Sequence, residues 1–151
     1  MSEIKVRRAT AEESGRIARS NRAMAMETEG LALDEQTVTS GVVALQGHPE
    51  RGFYLVADVD GALVGCIKVH FEWTAWRNKM FWWIGSCYVK PDFRGRGVYA
   101  AIYEKLKELA AREGNVCGFR SYVHKDDAHN REVFSGLGMG LKDFCVYEDL
   151  L

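Results

Sequence analysis

The residues with most to offer chemically lie together in "VKPDFRGRGVYAA", residues 89–101, where Arg94, Gly95, Arg96 and Gly97 alternate just before a helical pattern begins. The first four amides of a helix have no partner inside it, and aligned peptide dipoles place positive partial charge at that end. Gly95 and Gly97 let the backbone bend and let a bulky anion approach those amides, while Arg94 and Arg96 add fixed positive charge. The chemistry such a loop offers is recognition of a diphosphate, with ~0.3–1 kcal/mol from the dipole alone. A solvated turn whose glycines only start a helix would read the same over four residues. GxxxxGK[ST] is absent and GxGxxG is incomplete, so this is neither a P-loop nor a dinucleotide fingerprint.

The elements that must position this loop follow from periodicity. "IKVRRA" alternates as a short strand, and Thr10 with Glu13 forms a capping box that opens a helix carrying Ile17, Ala18, Asn21 and Met24 on one face. Asp34 starts a second helix with Val38, Val42 and Leu45 at helical spacing. "GFYLVADVDGALVGCIKVHF" reads as two strands joined at Asp60-Gly61, and "KMFWWIGSCYV" as a third. After the loop, Val98, Ile102, Leu106 and Leu109 share one helical face until Gly114-Asn115. "CGFRSYV" is then a strand, "DDAHNREVFSGLGM" a short helix, and "DFCVYEDL" a final strand. The predicted order is β-α-α-β-β-β-α-β-α-β: an α/β (α+β) fold with a mixed, mostly antiparallel central sheet and helices on both faces, in one domain over residues 1–151.

Composition bounds the function. The 151 residues, 47% of them apolar, suffice for one substantial core. A formal charge of −1 gives no basic field for nucleic acid or a membrane surface. The charged start "MSEIKVRRATAEE" has no apolar h-region, and "MFWWIGSCYV" is too short to span a bilayer. Cys66, Cys87, Cys117 and Cys145 are widely spaced without a CxxC pair, the pattern of reduced thiols in a cytoplasmic protein with no metal site. His124 is the one histidine placed near the loop. His48, His70 and His129 read as surface imidazoles.

The loop, the strand "CYVKPDF" before it, the later "GLGM" and the order of elements resemble the GNAT superfamily of N-acetyltransferases. That resemblance implies acetyl-CoA as co-substrate and no metal. It implies that Arg94, Gly95, Arg96, Gly97, Val98 and Tyr99 hold the pyrophosphate and that Cys87, Tyr88 and Val89 bind the pantetheine arm. Asn130 and Phe134 of the last helix would complete the cofactor site. A homodimer is also implied. Three positions depart from the family pattern: Tyr99 replaces a small residue, Phe134 stands where a general-acid tyrosine is usual, and Trp83 stands where some relatives carry a carboxylate. Tyr99 must therefore turn its ring toward the core.

Acetyl transfer to an amine needs a base, because removing the proton of an ammonium of pKa ~10.4 costs roughly 4–5 kcal/mol at neutral pH. Among the acids outside surface helices, Glu29 and Glu72 are the leading candidates, each with a solvated loop carboxylate as its alternative. The leaving thiolate, of pKa ~8.5, needs only a weak donor, for which Tyr122 and Tyr147 are available. A backbone amide near Val89 would steady charge on the carbonyl oxygen. Cys87 reads as a structural thiol, since no histidine lies near it in sequence. "EWTAWRNK" could wall the acceptor groove or form a dimer contact. Direct transfer to a small amine or a peptide or protein amine is one expectation; a module that binds CoA without chemistry is the other.

Overall fold

A computed structural model describes residues 2–151. The order is β1 (Ile4–Arg8), α1 (Ser14–Glu29), α2 (Glu35–Gln46), β2 (Gly52–Val59), β3 (Ala62–Thr74), β4 (Lys79–Val89), α3 (Val98–Glu113), β5 (Val116–Ser121) and α4 (Ala128–Gly136), with single 3-10 turns at Ala11–Glu13 and Pro91–Phe93. The five strands form one sheet in sequence order. The first three pairings are antiparallel and β4 with β5 is parallel. Asp60 and Gly61, both at positive φ, make the tight β2–β3 turn that Asp-Gly favours. No helix among the described residues is long and apolar enough to cross a membrane.

Both faces of the sheet are covered, so β2 is buried almost throughout rather than alternating with polar residues. On one face Leu55, Val69, Trp82 and Ile84 pack with Val98, Ile102 and Leu106 of α3, and Leu109 closes the same stripe. On the other, Tyr54, Val56 and Cys66 pack with Ile17 and Ala18 of α1 and Val42 of α2. One contact sets how closely α3 approaches: a Cβ at Gly65 of β3 would stand 3.0 Å from Val98 Cγ1. Glycine lets the first turn of α3 lie that close to the sheet without displacing the Val98 side chain.

Two features differ from expectation. "EWTAWRNK" is half strand: β3 continues to Thr74 and β4 starts at Lys79, leaving residues 75–78 as the turn. The final strand "DFCVYEDL" is not in the sheet. Residues 140–151 have no helix or strand geometry and are exposed throughout, and β5 is the outermost strand on its side. Strand-forming residues describe what a neighbour would accept; they cannot supply the neighbour.

The start of α1 is tied to the sheet edge by a buried charge. Glu13, only 4% exposed, accepts from the Thr10 amide at 2.8 Å and from both terminal nitrogens of Arg7 at 2.8 and 2.9 Å, while Arg7 Nε donates to Asp58 at 2.8 Å. The hydrogen bonds from Arg7 hold the Glu13 carboxyl down at about 2. A carboxyl depressed in the fold contributes stability that is complete above its unfolded pKa, here about 4.5, and lost as pH falls toward 2. Arg7 is partly solvated, which discounts the gain. Glu13→Gln is expected to lower unfolding free energy by ~1–3 kcal/mol at pH 7 in urea titrations, with the difference shrinking between pH 4.5 and 2.

Candidate active site

The site begins where two strands part. Parallel pairing of β4 with β5 ends at Ile84 and Ser121, where Ser121 Oγ donates to the Ile84 carbonyl at 2.7 Å. Beyond that point β4 runs on to Val89 with β3 on one side only. Between Cys66 and Lys68 of β3 the register slips, so that β4 carries one residue too many around Ser86 and Cys87, and Ser86 sits at φ 48°. Such a bulge re-aims side chains beside a site. A cleft of about 500 Å³ opens here between β4, α1, the Arg94–Tyr99 loop and the start of α4.

Of the expected cofactor residues, Cys87, Tyr88, Val89, Arg94, Tyr99 and Asn130 line this cleft. Gly95, Arg96 and Gly97 form the loop between Arg94 and Tyr99. Gly95 and Gly97 have φ of 73° and 82°, and a Cβ on either would meet nothing within 4 Å, so the space before the loop is open. No side chain caps the first turn of α3. Val98 is buried in the core and offers its amide alone. Phe134 packs against the same core. The Tyr99 ring packs there too, and burial raises its phenol well above the ordinary value. Asp127 caps α4 through the Asn130 amide at 3.1 Å and holds the Asn130 side chain at 2.7 Å. His124 lines the cleft, as does His129.

Arg94 is not a free cation. Its Nε donates to the Val89 carbonyl at 2.8 Å and one terminal nitrogen to Glu27 of α1 at 2.7 Å. It therefore ties the loop to the end of β4 and to α1, leaving the backbone amides and Arg96, whose guanidinium lies 5.5 Å over Phe93, as the donors open to an anion. Burial pushes the Cys87 thiol up to about 12, which disfavours the thiolate.

A second cavity, of about 440 Å³, lies on the α1–α2 face and is lined by Ser86 next to Cys87 of the first. Arg51, Lys68 and His70 border it, and no carboxylate does. Among the described residues neither Arg51 nor Lys68 has an ion-pair partner. Asn21 Oδ1 and His70 Nδ1, both from lining residues, are buried without a hydrogen-bond partner; Trp83, whose ring stacks on His70 at 5.9 Å behind the lining, likewise has a buried Nε1 with no partner. Orphaned polar atoms around a void are what a ligand would satisfy. His70 is thus half-buried in a cavity, not a surface imidazole. Burial, then the Lys68 charge, pulls its pKa below the ordinary value. Sequence pattern missed it because alternation in β3 gives a face but not what covers that face.

The expected catalytic residues are not brought together. Glu29, the last residue of α1, is exposed and lines neither cavity. Glu72 is exposed on β3 with Arg120 at 3.5 Å. Tyr122, just past β5, is exposed with its ring 4.4 Å from that of Trp83. Tyr147 lies in the exposed tail, 98% accessible. Of the tryptophans, Trp83 stands beside the second cavity, Trp82 is core, and Trp73 and Trp76 are exposed at the far end of the sheet.

Comparison with known proteins agrees with this geometry. Residues 21–139 match the Acetyltransferase (GNAT) family. Thialysine N-epsilon-acetyltransferase of Bos taurus is 29% identical over 124 residues, which span 76% of this chain and 71% of the relative. The crystal structure of "a possible acetyltransferase" from Clostridium difficile 630 superposes with a TM-score of 0.90 at 33% identity, covering 98% of this chain and 97% of that one. A Clostridium acetobutylicum acetyltransferase structure, described as with acetyl-CoA, shares the fold with a TM-score of 0.80 at 16% identity, covering 97% and 96%. The loop of alternating glycine and arginine, the parting of β4 from β5 and the family match over most of the chain agree: this protein belongs to the GNAT family of acetyltransferases.

Proposed function

We propose that the protein, working as one domain over residues 1–151 in the cytoplasm, moves the acetyl group of acetyl-CoA directly onto the primary amine of a small acceptor that also carries a carboxylate. The observation that carries this reading is a pair of cavities lined by the neighbouring residues Ser86 and Cys87, one beside the glycine loop and one bordered by two unpaired cations and no acid. The name of the bovine relative points the same way, since thialysine carries an amine and a carboxylate on one skeleton.

Acetyl-CoA supplies an activated acyl carbon. The open amides from Gly95 to Tyr99, with Arg96, hold its diphosphate, and the free side of β4 from Cys87 to Val89 holds its amide-bearing arm. Arg51 and Lys68 take the acceptor's carboxylate and, as cations, make its ammonium easier to deprotonate. His70, kept neutral by burial and Lys68, receives the proton in place of Glu29 or Glu72, which lie outside both cavities. The neutral phenols Tyr88 and Tyr99 in the cleft are donors for the leaving thiolate.

Acetyl-CoA at ~100 times its dissociation constant is expected to stabilise the protein by ~2.7 kcal/mol, read as a melting shift of roughly 5–10 °C. Gly97→Asp abolishes the shift and Gly97→Asn, equally tolerant of the left-handed backbone, keeps most of it; equal shifts in both would place the diphosphate elsewhere. Lys68→Gln or Arg51→Gln lowers kcat/KM ~10–100-fold for an amino acid acceptor and little for a neutral alkylamine. Comparable losses on both acceptors would rule out carboxylate recognition. For the native enzyme kcat/KM falls as pH drops through the lowered His70 pKa, since the protonated ring has no lone pair to offer. His70→Gln flattens that acid limb, and an unchanged limb would remove His70 from the role.

A further inference from the structure

Three carboxylates, Glu27, Asp126 and Asp127, border the cleft beside the glycine loop, where a diphosphate would meet them as like charges. Two of them have local duties. Asp127 accepts from the Asn130 amide and side chain at the start of α4. Asp126 stands 4.0 Å from Nδ1 of His124, which accepts from the Asp126 amide at 3.2 Å. Glu27 has no such duty within its own element. It lies in the last turn of α1, at the negative end of the helix dipole, and that turn holds no basic residue. Its helix and an anionic ligand both disfavour a carboxylate there. What offsets this is the 2.7 Å hydrogen bond it accepts from Arg94.

Arg94 is held on three sides. Its Nε donates to the Val89 carbonyl at 2.8 Å, a terminal nitrogen donates to Glu27, and the guanidinium lies 5.5 Å from the Tyr88 ring centroid. The residues that follow have no comparable support. Among the described residues, the amides of Gly95, Arg96 and Gly97 donate no backbone hydrogen bond. Two glycines in such a loop open many conformations to it, and a diphosphate gains most from the one in which the amides converge. The Arg94 side chain is the fixture from which the loop hangs, and α1 supplies one end of that fixture through Glu27.

We infer that Glu27 is a positioning residue for the cofactor: through Arg94 it holds the glycine loop ready for a diphosphate, and so raises affinity for a molecule whose charge it repels. This role rests on the placement of the acetyl-CoA diphosphate proposed above. Simple Coulomb attraction gives the opposite sign, since removing a carboxylate from the rim of an anion site should tighten binding. The Glu27 and Arg94 side chains are 42% and 37% exposed, so the pair adds little to global stability and its effect is local.

Glu27→Gln keeps the shape and removes the charge. It is expected to weaken CoA binding about 3–10-fold in titration calorimetry, with little change in melting temperature. Arg94→Gln should cost at least as much, and the double variant no more than Arg94→Gln alone. In turnover the loss should sit in KM for acetyl-CoA. Unchanged or tighter CoA binding by Glu27→Gln would overturn the inference; tighter binding would make Arg94 a diphosphate ligand that Glu27 restrains. Additive losses would overturn it too, as would a fall in kcat at unchanged KM, the mark of a proton carrier. Amide relaxation measured by NMR on the ligand-free chain separates the brace from the cofactor site. Order parameters of Gly95 and Gly97 should stand near ~0.85 in the native chain and fall toward ~0.6 in Glu27→Gln. Equal order in both chains would overturn the brace. A native chain that loses this order on substitution, yet binds no CoA, would instead overturn the proposed placement of the diphosphate.

Discussion

The structure depends on one interruption: β4 and β5 stop pairing at Ile84 and Ser121 while β4 continues to Val89. Backbone amides and carbonyls inside a protein need partners, and a strand that loses its neighbour part-way exposes a row of them. Here the lost partner is replaced by open space bounded by the glycine loop and α4. An extended ligand with amide groups of its own can complete that row, so the cofactor cleft is a sheet position left for a ligand. The bulge at Ser86 lies at the same place, and consecutive residues of one strand, Ser86 and Cys87, enter the linings of the two cavities.

The two cavities differ in how charge is spent. In the cofactor cleft the side chain of Arg94 is occupied by Glu27 and the Val89 carbonyl, so attraction for a diphosphate comes mainly from backbone amides fixed by two left-handed glycines. Backbone donors cannot swing away, which makes the cradle selective for shape as well as charge. In the cavity proposed for the acceptor the charges are long, unpaired side chains that can follow a ligand.

Much of this was legible in the residues. The helical stripe Val98, Ile102, Leu106, Leu109, the Asp60-Gly61 turn and the capping box at Thr10 and Glu13 are local patterns, and each produced the element it predicts. The glycine–arginine loop was legible as a turn for the same reason: two left-handed glycines and the helix start that follows them lie within a few consecutive residues. What escaped depends on residues distant in sequence. His70 belongs to a cavity because α1 and α2 cover that face of β3, and Arg94 is neutralised because α1 brings Glu27 to it. Glu29 and Glu72 were plausible as acids, but no local pattern reports that α1 ends past the groove or that Arg120 faces Glu72. The tail reads as a strand in composition, and strand formation is a property of a pair.

Gly65 extends the functional site well beyond its cavities. It lines neither, yet the 3.0 Å approach of Val98 above it sets the height at which the first turn of α3, and so the whole anion cradle, rides over the sheet. A single methyl group there would act as a shim, tilting the cradle while leaving every ligand-contacting residue in place. Drift in cofactor affinity among related sequences can therefore originate in the floor of the sheet, where inspection of the binding loop alone would never find it.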